Sequence, residues 1–492
     1  MIEFSTARNG SKTCSVNGKY LHSLYNPEKE AERFVSNLQC DYNPQYIVIT
    51  EPALSYIVPY LKKRFPSSKI CAIRYCDAFS ETDSKWDFVF KCEKNLDNTL
   101  FDTFGEEGIA KTFFISWQAS ENLFGDRNAL AWEMIRSVVL KSRDVIATRN
   151  FFAKRWTKNT FRFFSAAQNL YTILKGKSDI IVAASGPSLE PSIEKLKKYR
   201  NNYFLLAVSS AIKPLLYNGI IPDLCISTDG GEWAKRHLSP LLSSYAHIPI
   251  ALSAEAAVPY YILENSPIIP LVYGDSIEAI LMNKCSINAV KAFRNGTVSG
   301  TAVELAMAIT TGNILCVGLD LAEAKGFQHT RPNELDSLNA LSENRLYTVA
   351  TRLALAGRQN GSLKIYRDWF SSRNDFFSAR IKRFATKNLS PLGKIKDVAI
   401  DDNIFIAMNG KDKPSIKKIA TISTENRKRI IKNELEKINN ITSIDNTIHS
   451  EIALWLKNML PSQYLHYEKY LGTPKESEAL KELLDKKRQY DL

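Results

Sequence analysis

The run Asp179-Ile180-Ile181-Val182-Ala183-Ala184-Ser185-Gly186-Pro187-Ser188-Leu189 passes from an apolar stretch into Ser-Gly-Pro-Ser and on into the charged, helix-like segment Glu190 to Tyr199. It reads as a buried strand, a tight loop and a helix start. Free backbone N–H groups at such an opening, at the positive end of a helix dipole, suit a phosphate. Pro187 fits the first turn, where a missing N–H costs nothing, and Ser188 adds a hydroxyl donor. An ordinary strand-to-helix turn would use the same residues. Ser299, Gly300 and Thr301 open another helix and offer either a second anion site or plain N-capping. Asp223 follows Pro222 and fits a turn into a strand, whereas Asp229 lies beyond a strand end and is the better site candidate. Asp320 follows the strand end Cys316-Val317-Gly318, and His329 sits nine residues later in a loop ended by Pro332. Histidine titrates near neutrality and can take a hydroxyl proton in a transition state. A surface-loop histidine is the plainer alternative.

These groups need a scaffold, and the hydrophobic pattern supplies one. Residues 178–400 read as an α/β domain: strands at Tyr203–Ser209, Asp223–Ser227, Ile248–Ser253, Pro267–Tyr273 and Asn313–Gly318, with helices at Ala211–Gly219 and Thr301–Thr311. The alternation predicts a mostly parallel, helix-covered sheet, whose ligands sit beyond the carboxyl ends of the strands. Ser185–Ser188, Ser209–Ser210, Thr228–Gly231 and Asp320–Glu323 fall at those ends. Residues 1–125 read as an N-terminal α/β domain, with strands at Tyr46–Thr50, Lys69–Arg74, Trp86–Phe90 and Thr112–Ser116 and a helix at Ala53–Phe65. Residues 126–177 lack strand signals and read as a helical connector, with helices at Asn128–Val145 and Asn150–Leu174. Phe151, Phe152, Trp156, Phe161, Phe163 and Phe164 give the second helix an aromatic face, which is core rather than a cofactor box. Residues 401–492 are Lys/Glu-rich and helical in pattern, clearest at Ser423–Asn439 and Ile448–Leu460, and fit a cap, a protein-contact module or an oligomerisation pair.

The chain has 492 residues, which sets an expectation of two or three domains, and its composition is globular, 45% hydrophobic and 24% charged. The start, Met1 to Lys12, lacks the apolar core of a signal peptide, and no apolar run reaches a membrane span, so the expected location is cytoplasmic. Eight scattered cysteines form no CxxC pair and no zinc or iron–sulfur spacing, so no metal site is expected and buried reduced thiols are. The net charge of +13 is spread over amphipathic helices, without an RNP motif, a zinc finger or a basic-aromatic cluster. That speaks against nucleic acid and for a phosphate-rich small substrate.

Three stretches carry a resemblance to a known family: Ser185-Gly186-Pro187-Ser188-Leu189; Asn218-Gly219-Ile220-Ile221-Pro222-Asp223 running into Ser227-Thr228-Asp229; and Gly296-Thr297-Val298-Ser299-Gly300-Thr301-Ala302, followed by Val317-Gly318-Leu319-Asp320-Leu321 and Gln328-His329. Asn388-Leu389-Ser390-Pro391 is a weaker fourth. Over about residues 178–395 the chain resembles the motility-associated-factor family of bacterial flagellin glycosyltransferases, part of a broader group with 6-hydroxymethylpterin pyrophosphokinases (MptE-like). Asn17-Gly18-Lys19 and His22-Ser23 with Pro27 and Glu28 look like that family's N-terminal module. The central motifs are also similar to those of bacterial sialyltransferases with a modified Rossmann fold. Ala184 departs from the pattern, which often has Gly there; in an extended conformation Ala costs little.

The resemblance implies transfer of a nonulosonic, sialic-acid-like sugar from a CMP-activated donor to Ser or Thr of flagellin, with no obligatory cofactor. It implies that Ser185, Gly186, Pro187 and Ser188 hold the phosphate, that Ser209 and Ser210 contact ribose or phosphate, and that Ser299, Gly300 and Thr301 add a second contact. Positioned donors can replace a metal at a leaving group that already carries its charge on one phosphate. His329, Asp320 and Asp229 are the implied catalytic groups, with Tyr347 and Arg345 as further candidates. Two rival functions share these motifs. One is an ATP- and Mg²⁺-dependent pyrophosphokinase of the pterin type; the other is a non-enzymatic flagellin-binding protein, since fold does not fix function. An inactive paralogue would keep them too, and an oligomer is compatible with all three.

Overall fold

The computed structural model describes residues 2–242, 244–322, 329–348, 350–351, 361–386, 389–441 and 450–488. The chain divides into two units: one built on the residues up to Ala153 together with Leu456 onward, the other on Lys154 to Ile441 with Trp455.

In the first unit, β1 (Ile2–Thr6), β2 (Lys12–Val16) and β3 (Lys19–Tyr20) form a small antiparallel sheet. A four-stranded parallel sheet follows, from β4 (Tyr46–Thr50), β5 (Lys69–Arg74), β6 (Phe88–Lys91) and β7 (Thr112–Ser116), in the order β6-β5-β4-β7. Three strands stand where their apolar runs put them, and β6 overlaps the expected Trp86–Phe90. The helix expected from Ala53 begins only at Val58, because Glu51, Ala53 and Ser55 take positive φ values of 35°, 44° and 62°. That turn is held from inside: the buried Arg74 guanidinium bonds the Glu51 carboxylate at 3.0 Å and the Ala53 carbonyl at 2.9 Å.

The two helices expected between 128 and 174 are one, Gly125–Ala166, because no Gly or Pro interrupts the intervening Ile146-Ala147-Thr148-Arg149. Of its aromatic face, Phe163 and Phe164 are buried while Phe151 is exposed. Its expected last turns are instead β8 (Tyr171–Leu174).

The second unit is organised by a nine-stranded, all-parallel sheet: β9 (Ile180–Ala183), β10 (Phe204–Val208), β11 (Leu224–Ser227), β12 (Ile250–Ser253), β13 (Ile268–Val272), β14 (Val290–Lys291), β15 (Ile314–Val317), β16 (Ile381–Phe384) and β17 (Lys396–Val398). The order is β14-β13-β12-β11-β10-β9-β15-β16-β17. Strands β9 to β12 and β15 are buried at every residue, as continuous apolar runs covered on both faces must be. From β9 the chain winds outward to β14, then returns to lay β15 on the other side of β9, with Val317 opposite Ala183. That reversal is a topological switch point, where open α/β sheets leave a crevice at their carboxyl ends. Outside this sheet, β18 (Ser415–Lys418) pairs antiparallel with β8, so the segment after 400 contributes a strand as well as helices.

Cys225 and Cys316 lie inside the sheet; burial pushes both thiols up, Cys316 to about 12.

Candidate functional site

The loops leaving β9 and β15, the two strands of the switch point, meet each other. Gly186 N–H donates to the Gly318 carbonyl at 2.8 Å, and Ser188 N–H donates to Asp320 Oδ2 at 2.6 Å. Leu189 N–H returns to the Gly186 carbonyl. The sequence suggested free N–H groups at a helix dipole; those of Gly186, Ser188 and Leu189 are instead engaged within the chain. Pro187–Ser192 is a 3₁₀ turn, since Pro191 denies it an α ladder, and only the short segment Ile193–Lys198 is α-helical. The place an anion would take on Ser188 N–H is held by the chain's own carboxylate.

Close backbone approach explains the glycines. A Cβ on Gly318 (φ 68°) would meet the Ala184 carbonyl oxygen at 2.2 Å, and one on Gly186 would meet Asp320 Oδ2 at 2.8 Å. Ala184 itself has no positive φ and continues the ladder through its N–H to the Val317 carbonyl, so Ala fits there without strain.

Hydroxyls crowd the same loop. Ser210 Oγ donates to Ser185 Oγ at 2.8 Å, which ties the turn after β10 (Ser209–Ala211) to the turn after β9. Thr330, beside His329, binds the loop twice, through its N–H to the Ser185 carbonyl and its hydroxyl to the Gly186 carbonyl, both at 2.7 Å. Ser188 Oγ and Asp320 Oδ1 are buried and find no partner among the described residues. Burial holds the Asp320 carboxyl above its ordinary range, against the opposing pull of Ser188 and the Arg383 guanidinium. Arg383 is fully buried beneath, bidentate to Asp397 with both contacts at 2.7 Å.

His329 stands at the edge of this cluster with Nδ1 buried and unpartnered among the described residues. Burial and the neighbouring His237 hold its imidazole below the ordinary histidine value. The two rings meet edge to face, 6.1 Å apart. His237 ends the helix Glu232–His237, which packs against the Ser209–Ala211 turn, and its Nδ1 lies 2.8 Å from Glu334 Oε2.

The remaining sequence candidates are less tightly joined to this cluster. The helix Val298–Ile309 packs on β9, β10, β11 and β15. Its far end bonds the start of β9 through Thr310 Oγ1 to the Ser178 carbonyl, so Ser299, Gly300 and Thr301 open it on the carboxyl side of the sheet. There Thr297 caps Ser299 N–H, and the Asn295 amide lies over Gly300 and accepts from Thr301 Oγ1 at 3.1 Å, the N-capping arrangement. Asp229, beyond β11, accepts Gly231 N–H at 2.8 Å. Asp223 is on the opposite edge, bonded to Leu205 N–H and paired with Arg200, a turn-fixing role. Tyr347 is exposed in a turn around Asn344 rather than on a helix. Glu323, Gln328 and Asn388 lie outside the described residues.

Beyond β12 and β13 is a polar group that no sequence pattern announced. Arg294 spans Glu255, with both contacts at 2.8 Å, and Asp275, under the Tyr273 ring. Glu278 is wholly buried beside them; it accepts the N–H groups of Tyr273 and Gly274, while its Oε2 is unpartnered among the described residues. Burial and the facing Glu255 push its carboxyl up to about 7.

The family model described as "6-hydroxymethylpterin diphosphokinase MptE-like" matches residues 154–326, which include the Ser185–Ser188 loop and Asp320. An uncharacterized protein of Treponema pallidum (strain Nichols) is 29% identical over 345 residues, 70% of this chain and 76% of that protein. A second uncharacterized protein of that organism is 32% identical over 81 residues, 16% of this chain and 39% of its own. Among solved structures, the MAf glycosyltransferase from Magnetospirillum magneticum AMB-1 shares the fold, with a TM-score of 0.56 over 99% of this chain and 90% of that one, at 12% identity. The central segment, residues 154–326, is thus similar to the MptE-like family, and the chain shares the α/β fold of a MAf glycosyltransferase.

Proposed function

We propose that the protein is a glycosyltransferase that moves a nonulosonic, sialic-acid-like sugar from a CMP-activated donor to a serine or threonine hydroxyl of flagellin. The observation that carries this reading is the meeting of the β9 and β15 loops at the switch point, where Ser185, Ser210, Ser188 and Asp320 converge and His329 stands beside them. In this mechanism the hydroxyls of Ser185, Ser188, Ser209 and Ser210 receive the donor phosphate, with Gly186 and Pro187 shaping the loop. Ser299, Gly300 and Thr301 supply a second contact from across the edge. Fixed donors aimed at the departing phosphate stabilise the charge it gains as the sugar leaves. Asp320 Oδ1 is the acceptor for a donor hydroxyl, which satisfies a buried oxygen that otherwise goes unmade. Asp229 holds a sugar hydroxyl at the end of β11. A histidine of the His329 pair accepts the proton of the flagellin hydroxyl as its oxygen attacks the anomeric carbon.

Thermal-shift measurement with CMP, with ATP plus Mg²⁺, and without ligand tests the reading, because a ligand that binds only the folded state raises the melting temperature. CMP stabilisation without metal is expected. Preference for ATP–Mg²⁺ would transfer the assignment to the pyrophosphokinase chemistry that the matched family description names. Capture of flagellin with no response to either nucleotide would leave a binding protein. The flagellin mass in cells with and without the gene gives the sugar.

A further inference from the structure

The His329 pair is not symmetric, and the asymmetry concerns which ring moves the proton. His237 has a carboxylate to hold it, with Nδ1 2.8 Å from Glu334 Oε2. In the tautomer that donates Nδ1–H to this carboxylate, Nε2 keeps its lone pair. Nε2 has no protein partner among the described residues, and the ring retains 10% exposure. His329 has the opposite surroundings: its Nδ1 is buried and unpartnered, and no carboxylate bonds it among the described residues.

Glu334 is itself fixed. It opens the helix Glu334–Asn339, whose cap Asn333 accepts Asp336 N–H at 2.9 Å, and its other oxygen lies 3.8 Å from Lys213 Nζ. The groups facing the His237 ring are thus Glu334, with Lys213 behind it, and His329, with Asp336 near the latter. The cluster adjoins the proposed phosphate site on two sides. The helix of His237 packs on the Ser209–Ala211 turn, and Thr330, next to His329, is bonded to Ser185 and Gly186.

The geometry points to His237, oriented by Glu334, as the general base of the transfer, with the His329 ring packed edge to face beside it. This rests on the glycosyltransferase reading above. In the step, the acceptor hydroxyl gives its proton to His237 Nε2 while its oxygen bonds the anomeric carbon. The bond from that carbon to the phosphate oxygen breaks, and its electron pair leaves on CMP. Glu334 faces the imidazolium that results, which is the positioning role of a carboxylate behind a catalytic histidine.

The test uses the full chain with CMP-sugar and flagellin. His237→Ala is expected to lose about a hundredfold or more in kcat, the range of a general base, to keep CMP-induced stabilisation, and to regain part of its rate with added imidazole. Glu334→Gln is expected to lower kcat with KM little changed and to alter the ring nitrogen shifts of His237 in ¹⁵N NMR; Glu334→Asp restores part of the rate. His329→Gln should keep more activity than His237→Ala. Transfer by His237→Ala near the wild-type rate, or His237 ring shifts indifferent to Glu334→Gln, would overturn the base assignment alone. Absence of CMP stabilisation in the wild-type chain would instead overturn the donor reading and the base with it.

Discussion

Ser188 N–H and Asp320 Oδ2 are 2.6 Å apart, so the loop after β9 is already occupied by an anion belonging to the loop after β15. The second oxygen of that carboxylate is buried and unpartnered among the described residues, and burial holds the group above the ordinary carboxylate range. A raised folded-state pKa means the native chain binds the proton more tightly than the unfolded chain. Stability is therefore fullest below the ordinary pKa and is lost as pH rises through the elevated one. Asp320→Asn should be more stable than wild type at pH 7–8 and should lose that advantage at acidic pH. Urea midpoints at several pH values read this directly. The same variant should bind CMP less pH-dependently, because no charge on position 320 then repels the phosphate.

Gly186 and Gly318 let these loops touch. Gly186→Ala places a methyl carbon 2.5 Å from the Gly318 carbonyl and 2.8 Å from Asp320 Oδ2. Neither backbone loop can yield cheaply, so the expected cost is about 1–3 kcal/mol, with loss of CMP-induced stabilisation. Ala184→Gly, two residues earlier and just past β9, should cost only ~0.5–1 kcal/mol through chain entropy and leave CMP binding intact. A CMP response equally weakened in both variants would remove the loop from the ligand site.

Arg383 supports Asp320 from below while bonding Asp397 twice and the Ser390 carbonyl at 2.9 Å. Replacing it with Leu strips these acceptors of their donor inside the sheet. The expected loss is about 1–3 kcal/mol, the range for a buried donor whose acceptors lose their partner, since Asp397 itself reaches solvent, and Arg383→Lys should recover little because it cannot bridge a carboxylate bidentately. Chemical denaturation with two probes would show it. A Leu variant as stable as wild type would mean that the guanidinium is not holding β16 to β17.

Much of this architecture was legible because burial writes itself into sequence. Ile180–Ala183, Phe204–Val208 and Ile314–Val317 are apolar at every position, and only a helix-covered parallel sheet buries such runs on both faces. The polar residues just past those strands fell at the carboxyl edge by the same logic. Asp320 beside Ser188, and Thr330 on the Ser185 loop, were not legible as contacts, since nothing local links residues 132 or more positions apart. His237 was passed over for a related reason. Its sequence neighbours are an ordinary amphipathic turn, and its meaning comes from Glu334, 97 residues away. The late helix start at Val58 escaped because a buried arginine on another strand, not the local residues, holds the turn before it.

Glu278 gives the sharpest pH signature in the second unit. It is wholly buried, spends one oxygen on two backbone N–H groups, and faces Glu255, whose charge Arg294 only partly offsets. Its carboxyl is pushed up to about 7 from an ordinary 4.5. Between those values the native state holds a proton that the unfolded chain has released, so stability must fall as pH climbs from 4.5 towards 7 and then level off. The size is at most ~3.5 kcal/mol, one pKa unit being about 1.4 kcal/mol. Glu278→Gln removes the titration while keeping an oxygen for Tyr273 and Gly274 N–H. Its urea midpoint should match wild type near pH 5 and exceed it at pH 8. Parallel curves for the two proteins across that range would show that Glu278 does not titrate in the folded chain.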